Sequence, residues 1–178
     1  MNIFYLSHKP SRCARWHCDK HVVKMILETT QLLYTAHWVL SVKPDFSTAP
    51  YRKNADERGY MSIRNQKHPS AIWVRESLDH YVWLCQLGIA LCWEYNYRFG
   101  AHKTHSCEEH IHWLYENLPP SLKSVGWKEP PRAMPEEYKK VSNAILCYRL
   151  YYREGKKGML TYTGRHKPHW LKVSSPTP

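Results

Sequence analysis

The chain has 178 residues, of which 43% are hydrophobic and 13% are aromatic. This length and composition predict one folded domain with a core of ordinary size, and they exclude an intrinsically disordered chain. The 26 Lys and Arg residues exceed the 15 Asp and Glu residues and give a net charge of +11. We therefore expect a basic surface that attracts phosphate groups.

Targeting signals are weak in this sequence. No stretch approaches the roughly 20 consecutive apolar residues that a spanning helix needs. The opening MNIFYLSHKP has neither a basic start nor a long apolar run. The sequence therefore predicts a cytoplasmic protein with no membrane partner. Its six cysteines are expected to be reduced thiols, with Cys85 and Cys92 in a helical core.

Hydrophobic periodicity predicts an all-α protein, with residues 1–178 as a single compact domain of about four helices. Long loops are expected at 43–68 and 119–135, and the chain ends in a basic aromatic tail. The third helix would begin with a capping box, S-x-x-E. The four predicted helices run from Ser11 to about Leu40, from Pro69 to Phe99 with Gly100 as the stop, from Ser106 to Leu118, and from Glu136 to Glu154.

The first predicted helix carries a polar stripe roughly opposite an apolar face that includes Val22, Met25 and Ile26. The stripe contains imidazoles, an amine and a carboxylate at successive helical turns, which are groups that can act as acids, bases and nucleophiles. A solvated face of an amphipathic helix is the simpler interpretation. The chemically important members of the stripe are His17, His21, Lys24 and Glu28.

Two chemical interpretations of the stripe compete. His17 and His21 are spaced i, i+4 and could bind a divalent metal with Glu28. The HExxH arrangement is absent, however, so the prediction is no metal and no cofactor. Alternatively, Glu28 stabilises the cationic sugar that forms when an N-glycosidic bond breaks, while an unprotonated amine attacks C1′. Lys24 and the α-amine of Met1 are the candidate nucleophiles.

The segments MNIF and CDKHVVKMILE resemble the phage-type pyrimidine-dimer DNA glycosylases, which also cleave the strand at an abasic site. Asp19, His21 and Glu28 reproduce the family pattern of D-x-H followed by a glutamate seven residues after the histidine. The resemblance implies that Glu28 is the catalytic carboxylate and that His21 orients it or contacts phosphate. It also implies DNA, double-stranded, as the partner. The same segments resemble a group of uncharacterised phage proteins.

The N-terminus departs from the family pattern. In the family, the nucleophile is the α-amine of a small residue that is exposed when the initiator Met is removed. Asn2 is too large for efficient removal, so Met1 is expected to remain. Either the α-amine of Met1 then serves, or the lyase step is lost while glycosylase or binding activity is kept.

Candidate nucleic-acid-binding residues lie mostly in the last predicted helix and the tail. Basic and aromatic side chains in alternation suit phosphate contact and base stacking. Part of the aromatic set is expected in the core instead, and Tyr148 and Tyr152 share one face. The candidates are His17, Arg75, Arg149, Arg153, Lys156, Lys157, Tyr162, Arg165, Lys167 and Trp170.

Two further segments have both a functional and a structural interpretation. Arg75 with Asp79, and Glu94 with Arg98, could line a cleft or form i, i+4 ion pairs. The His-rich segment 102–112 offers zinc ligands at irregular spacing, so a helix start with exposed histidines is favoured.

The sequence as a whole predicts a monomeric DNA base-excision enzyme, an N-glycosylase with or without AP lyase activity. A non-catalytic phage protein that binds a nucleotide or a host factor is the alternative. A metal-dependent nuclease is the third possibility.

Overall fold

The structure is a computed structural model that describes residues 2–172. Within this range the chain forms six α-helices, so the all-α prediction is confirmed and the expected number of four is wrong. Three short 3-10 helices lie at Glu136–Tyr138, Lys157–Met159 and His169–Leu171. The α-helices are α1 (Pro10–Trp16), α2 (Asp19–Leu40), α3 (Pro69–Glu76), α4 (Leu78–Phe99), α5 (Glu108–Glu116) and α6 (Ala144–Gly155).

Each of the first two predicted helices is interrupted by residues with extended backbone and forms two helices. His17 and Cys18 have extended backbone between α1 and α2, so the expected continuous helix from Ser11 to Leu40 is wrong. Ser77 is extended between α3 and α4, and its hydroxyl accepts a hydrogen bond from Asp79 N at 3.3 Å. This N-cap satisfies an otherwise free backbone donor at the start of α4 and stabilises a new helix there.

Capping also explains the two remaining differences. The expected capping box at Ser106 is not formed, because α5 begins at Glu108 and its N-cap is Cys107, which makes no side-chain cap bond. In the last helix, the Asn143 side chain accepts from Leu146 N at 3.1 Å, so α6 begins at Ala144. Asn is among the best N-cap residues, which places the start of α6 well after Glu136.

The core is centred on the packed pair α2 and α4, each of 22 residues. Gly88 permits a close approach, since a Cβ there would lie 2.9 Å from Ile111 Cδ1 and 3.0 Å from Thr29 Cγ2. Cys85 and Cys92 are fully buried in this core, as predicted. All six cysteines are buried and unpaired within the described range.

The beginning and the end of the described chain both pack onto α1, α2 and α4. Ile3 and Leu6 are buried in the core. From the other end, Thr161 O accepts from Asp19 N at 2.9 Å, and Tyr162 OH donates to Trp16 O at 3.1 Å. None of the helices in residues 2–172 has the length and apolar character needed to cross a bilayer.

Candidate active site

Glu28 lies on α2 beneath the N-terminal segment and is 9% exposed. Its Oε2 accepts a hydrogen bond from Asn2 N at 2.9 Å. Its Oε1 lies 3.2 Å from Lys24 Nζ, one helical turn earlier, and the Lys24 side chain is 68% exposed. The carboxylate therefore joins the start of the chain to a solvent-accessible amine.

The Asn2 side chain fixes the backbone that faces Glu28. Its Nδ2 donates to Ala133 O at 2.7 Å, and its Oδ1 accepts from Tyr148 OH at 2.9 Å and from Ile3 N at 2.8 Å. These bonds hold both the nitrogen and the oxygen of the side-chain amide, so Asn2 N has little freedom to move relative to Glu28. In the sequence, Asn2 was notable only as a second residue too large for efficient removal of Met1.

His21 closes the inner side of the site in an aromatic cluster. Its ring stacks on Phe4 with centroids 4.1 Å apart, and its Nδ1 is hydrogen-bonded to Tyr152 OH. Phe4 has a φ of 51°, an uncommon value for a bulky residue. His21 thus contacts Tyr152 through Nδ1, and its role in orienting Glu28 or contacting phosphate stays a prediction.

Burial lowers the pKa of His21 to about 3, and the nearby charges of His17, Lys156 and Lys24 act in the same direction. The imidazole is therefore neutral at pH 7. Lys24 on α2 and Lys156 at the end of α6 thus both contribute positive charge near His21.

His68 is a further neighbour that the sequence analysis missed. It is the N-cap of α3, and its Nδ1 accepts from Ser70 N at 3.2 Å. Burial lowers the pKa of His68, and the negative charge of Glu28 opposes this shift, which places the imidazole within electrostatic range of the carboxylate. The only sequence signal was a histidine directly before Pro69 at a predicted helix start.

His17 does not belong to the exposed stripe that was expected. It lies at the end of α1, it is fully buried, and its Nδ1 bonds to Cys13 O at 2.7 Å. Its predicted contact with nucleic acid is therefore wrong, because no surface of the ring is accessible. The break after His17 places the two histidines outside one continuous helix, with ring centroids 6.3 Å apart. No group of three or more potential metal ligands is found in residues 2–172.

Several predicted nucleic-acid contacts instead hold the tail against the protein. Arg149 Nε donates to Leu6 O at 3.1 Å, and its guanidinium lies over the rings of Trp16 and Trp170. Trp170 and Tyr162 are half-buried against Trp16, and their role in base stacking stays a prediction.

Arg165 belongs to a buried ionic network. Its guanidinium binds Glu94 with contacts of 2.8 and 3.1 Å. Glu94 also pairs with Arg98, the predicted i, i+4 ion pair, and Arg98 reaches Asp19 Oδ1 at 3.1 Å. Arg98 further donates to Arg15 O and His17 O, which satisfies carbonyls at the end of α1. Asp19 of the D-x-H pattern therefore stabilises the junction between α1 and α2.

The other predicted residues have varied positions. Arg75 donates to Gln66 O at 2.8 Å, and the break at Ser77 separates it from Asp79, so the expected ion pair between them is wrong. In the His-rich segment, His110 is buried against Tyr34 OH, contrary to the expected exposure. Arg153 pairs with Glu154, Lys156 lies over Tyr151, Lys157 and Lys167 are exposed, and Met1 lies outside the described residues.

Comparison of the chain with known protein families, curated proteins and solved structures finds no match.

Proposed function

We propose that the protein is a DNA base-excision enzyme in which Glu28 supports cleavage of an N-glycosidic bond. One observation carries the proposal: a nearly buried carboxylate accepts the second backbone N–H of the chain and lies next to an exposed lysine amine. A carboxylate in this position can stabilise the positive charge that develops at C1′ as the base leaves with the bonding electron pair.

The surroundings of Glu28 support DNA as the substrate. Lys24 contacts the carboxylate, and Lys156 lies over Tyr151 near the His21 and Phe4 stack, on a chain with a net charge of +11. Lysines beside a site favour contact with the phosphates on either side of an extruded nucleotide. The half-buried ring of Tyr151, which stacks on Phe4, lies beside Lys156 and offers an apolar surface there.

Two amines are candidates for the attack on C1′. Asn2 N becomes an α-amine if the initiator Met is removed, and otherwise the α-amine is that of Met1, the residue before Asn2. Lys24 is the second candidate, since its Nζ already contacts Glu28. With no amine attack, water would complete the reaction and the enzyme would be a glycosylase alone.

Borohydride trapping on ultraviolet-irradiated and abasic duplex DNA tests this proposal. The variants are Glu28→Gln and, as a matched control, Glu116→Gln, which changes an exposed carboxylate on α5. The intact mass of the protein and of any trapped peptide identifies the reacting amine. We expect base release and any adduct to be lost in Glu28→Gln, with duplex binding kept, and to be unchanged in Glu116→Gln.

A non-catalytic nucleotide or host-factor binder is the competing function, and one observation favours it. A recess of about 680 Å³ is lined by residues of α1, α4 and the tail, and Glu28 is not among them. If wild type releases no base from any damaged or abasic duplex while it still binds nucleic acid, the excision proposal is refuted and the binder is favoured.

A further inference from the structure

The part of α2 beside Glu28 exposes both apolar and basic side chains. Val23 and Leu27 are 40% and 37% exposed and lie one helical turn apart. Lys20 is exposed as well, and the Lys24 side chain is 68% exposed. We call these four residues the outer face of α2. Because the inward face of α2 already supplies the core, packing within this fold does not account for the exposed apolar pair.

Helix geometry fixes the position of the outer face relative to Glu28. At about 100° per residue, Leu27 and Glu28 lie on opposite sides of Lys24, about 60° and 40° away from it. Lys24 Nζ lies 3.2 Å from Glu28 Oε1, so the amine and the carboxylate share one edge of this face. On a helix with a radius of about 5–6 Å including side chains, the ends of Leu27 and Glu28 lie about 8–9 Å apart. This is the length of about two to three base steps along a DNA strand, so both side chains can act at one lesion.

The lysines of the outer face are placed beside its apolar side chains. Lys20 precedes Val23, and Lys24 precedes Leu27, in each case by three residues, which makes them neighbours on the helix surface. Asp19, directly before Lys20, is paired with Arg98 at 3.1 Å, so its charge does not offset that of Lys20. Cations beside exposed apolar groups suit a duplex, in which phosphates border the stacked bases. This local charge favours duplex DNA over an apolar protein partner.

We infer that Leu27 enters the base stack of duplex DNA and fills the space left by the extruded nucleotide. Leucine is among the apolar side chains that DNA-binding proteins insert between base steps. Val23 packs beside it on the neighbouring base, and Lys20 and Lys24 bind the adjacent phosphates. The inference deepens the proposed function and rests on it in taking a duplex with an extruded nucleotide as the substrate.

Insertion of Leu27 has a different energetic signature from phosphate contact. Extrusion of a nucleotide costs unstacking free energy, and this cost is smallest where the base is damaged or missing. A leucine that takes the place of the base offsets the cost by burying its own apolar surface. Leu27 therefore increases the affinity for a duplex with a vacant position in the stack. The lysines contact phosphates, which a damaged and an intact duplex share, and so they increase both affinities alike.

Fluorescence anisotropy with two end-labelled duplexes tests the inference. One duplex contains a single tetrahydrofuran abasic analogue, which has no base to release and cannot form an imine, and the other is intact. We expect wild type to bind the abasic duplex at least about tenfold more tightly, because a leucine side chain is buried only there. Leu27→Ala should lose this preference through weaker binding of the abasic duplex alone, and Leu27→Met should keep it. Lys20→Ala should weaken binding of both duplexes by the same factor.

A matched control is available at Leu118, which is also 37% exposed and lies after the end of α5. Leu118→Ala should keep the preference of wild type for the abasic duplex. Near-ultraviolet circular dichroism checks that each variant is folded. The inference is overturned if wild type binds the two duplexes equally or binds neither. It is also overturned if the preference survives Leu27→Ala or is lost to the same extent in Leu118→Ala.

The Glu28→Gln protein separates this inference from the proposed function. It should keep the preference for the abasic duplex, because binding of the analogue involves no bond cleavage. Loss of base release in Glu28→Gln, together with a preference that depends on Leu27, supports both proposals. If wild type releases no base but its preference depends on Leu27, only the proposed function is refuted. If wild type releases a base and Leu27→Ala leaves the preference unchanged, only the insertion of Leu27 is refuted.

Discussion

Acid should destabilise this protein through its buried histidines. Burial lowers the pKa of His17 and His37 to about 4 and that of His21 to about 3, from an ordinary value of 6.5. Their stabilising contribution is complete above pH 6.5 and is lost as the pH falls toward the folded-state values, because the unfolded chain binds protons that the folded protein does not.

The size of the effect follows from these shifts. Between pH 7 and pH 5, each histidine should lower the free energy of unfolding by about 1.9 kcal/mol, and the three together by about 6 kcal/mol. This is a large part of the roughly 5–15 kcal/mol that stabilises an ordinary domain. Urea unfolding followed by tryptophan fluorescence at pH 7, 6 and 5 measures it directly.

A single substitution isolates one histidine. His37 bonds through Nε2 to Tyr81 OH at 2.9 Å, so His37→Gln keeps a group that can make this bond but does not titrate. We expect its loss of stability between pH 7 and pH 5 to be smaller than that of wild type by about 1.9 kcal/mol. His166→Gln changes an exposed histidine and should match wild type. A wild-type loss below about 1 kcal/mol, or an identical loss in His37→Gln, refutes the reasoning.

Two other predictions concern charged residues. Arg98→Leu should lower the free energy of unfolding by about 3–5 kcal/mol, measured by urea unfolding, because it removes the buried cation between Glu94 and Asp19 and leaves the carbonyls of Arg15 and His17 without this donor. A loss below about 1 kcal/mol would contradict this. For duplex DNA, the logarithm of the affinity falls linearly with the logarithm of the salt concentration. Lys24→Ala and Lys156→Ala should each make this slope shallower by about 0.9, whereas Lys123→Ala should leave it unchanged. Equal slopes for all three variants would show that duplex DNA binds at a surface away from Glu28.

The sequence predicted the buried face of α2 and the core cysteines because periodicity reports burial directly. Val22, Met25 and Ile26 are buried as expected. It could not predict the breaks at His17 and Ser77, which depend on tertiary bonds and on a cap that competes with a continuous helix.

The candidate site was predictable only in part. Glu28 and Lys24 share a helix, so their spacing alone predicts the contact between them. The bond from Asn2 to Glu28 and the Tyr152 partner of His21 join residues 26 and 131 positions apart. No local pattern encodes such pairs. The packing of the tail could not be predicted from its sequence, because basic and aromatic side chains serve equally well for cation–π packing and for DNA contact.

The packing of residues 161–171 against α1 and α2 has a consequence for folding during synthesis. Thr163 N donates to Asp19 at the start of α2, and the ring of Tyr152 packs against Phe4. Thr163 and Tyr152 both leave the ribosome long after the residues that they contact. Contacts of such long sequence separation form late and slowly. While synthesis continues, the aromatic surface of the N-terminal half has no cover, so the unfinished chain is the form most exposed to aggregation and proteolysis.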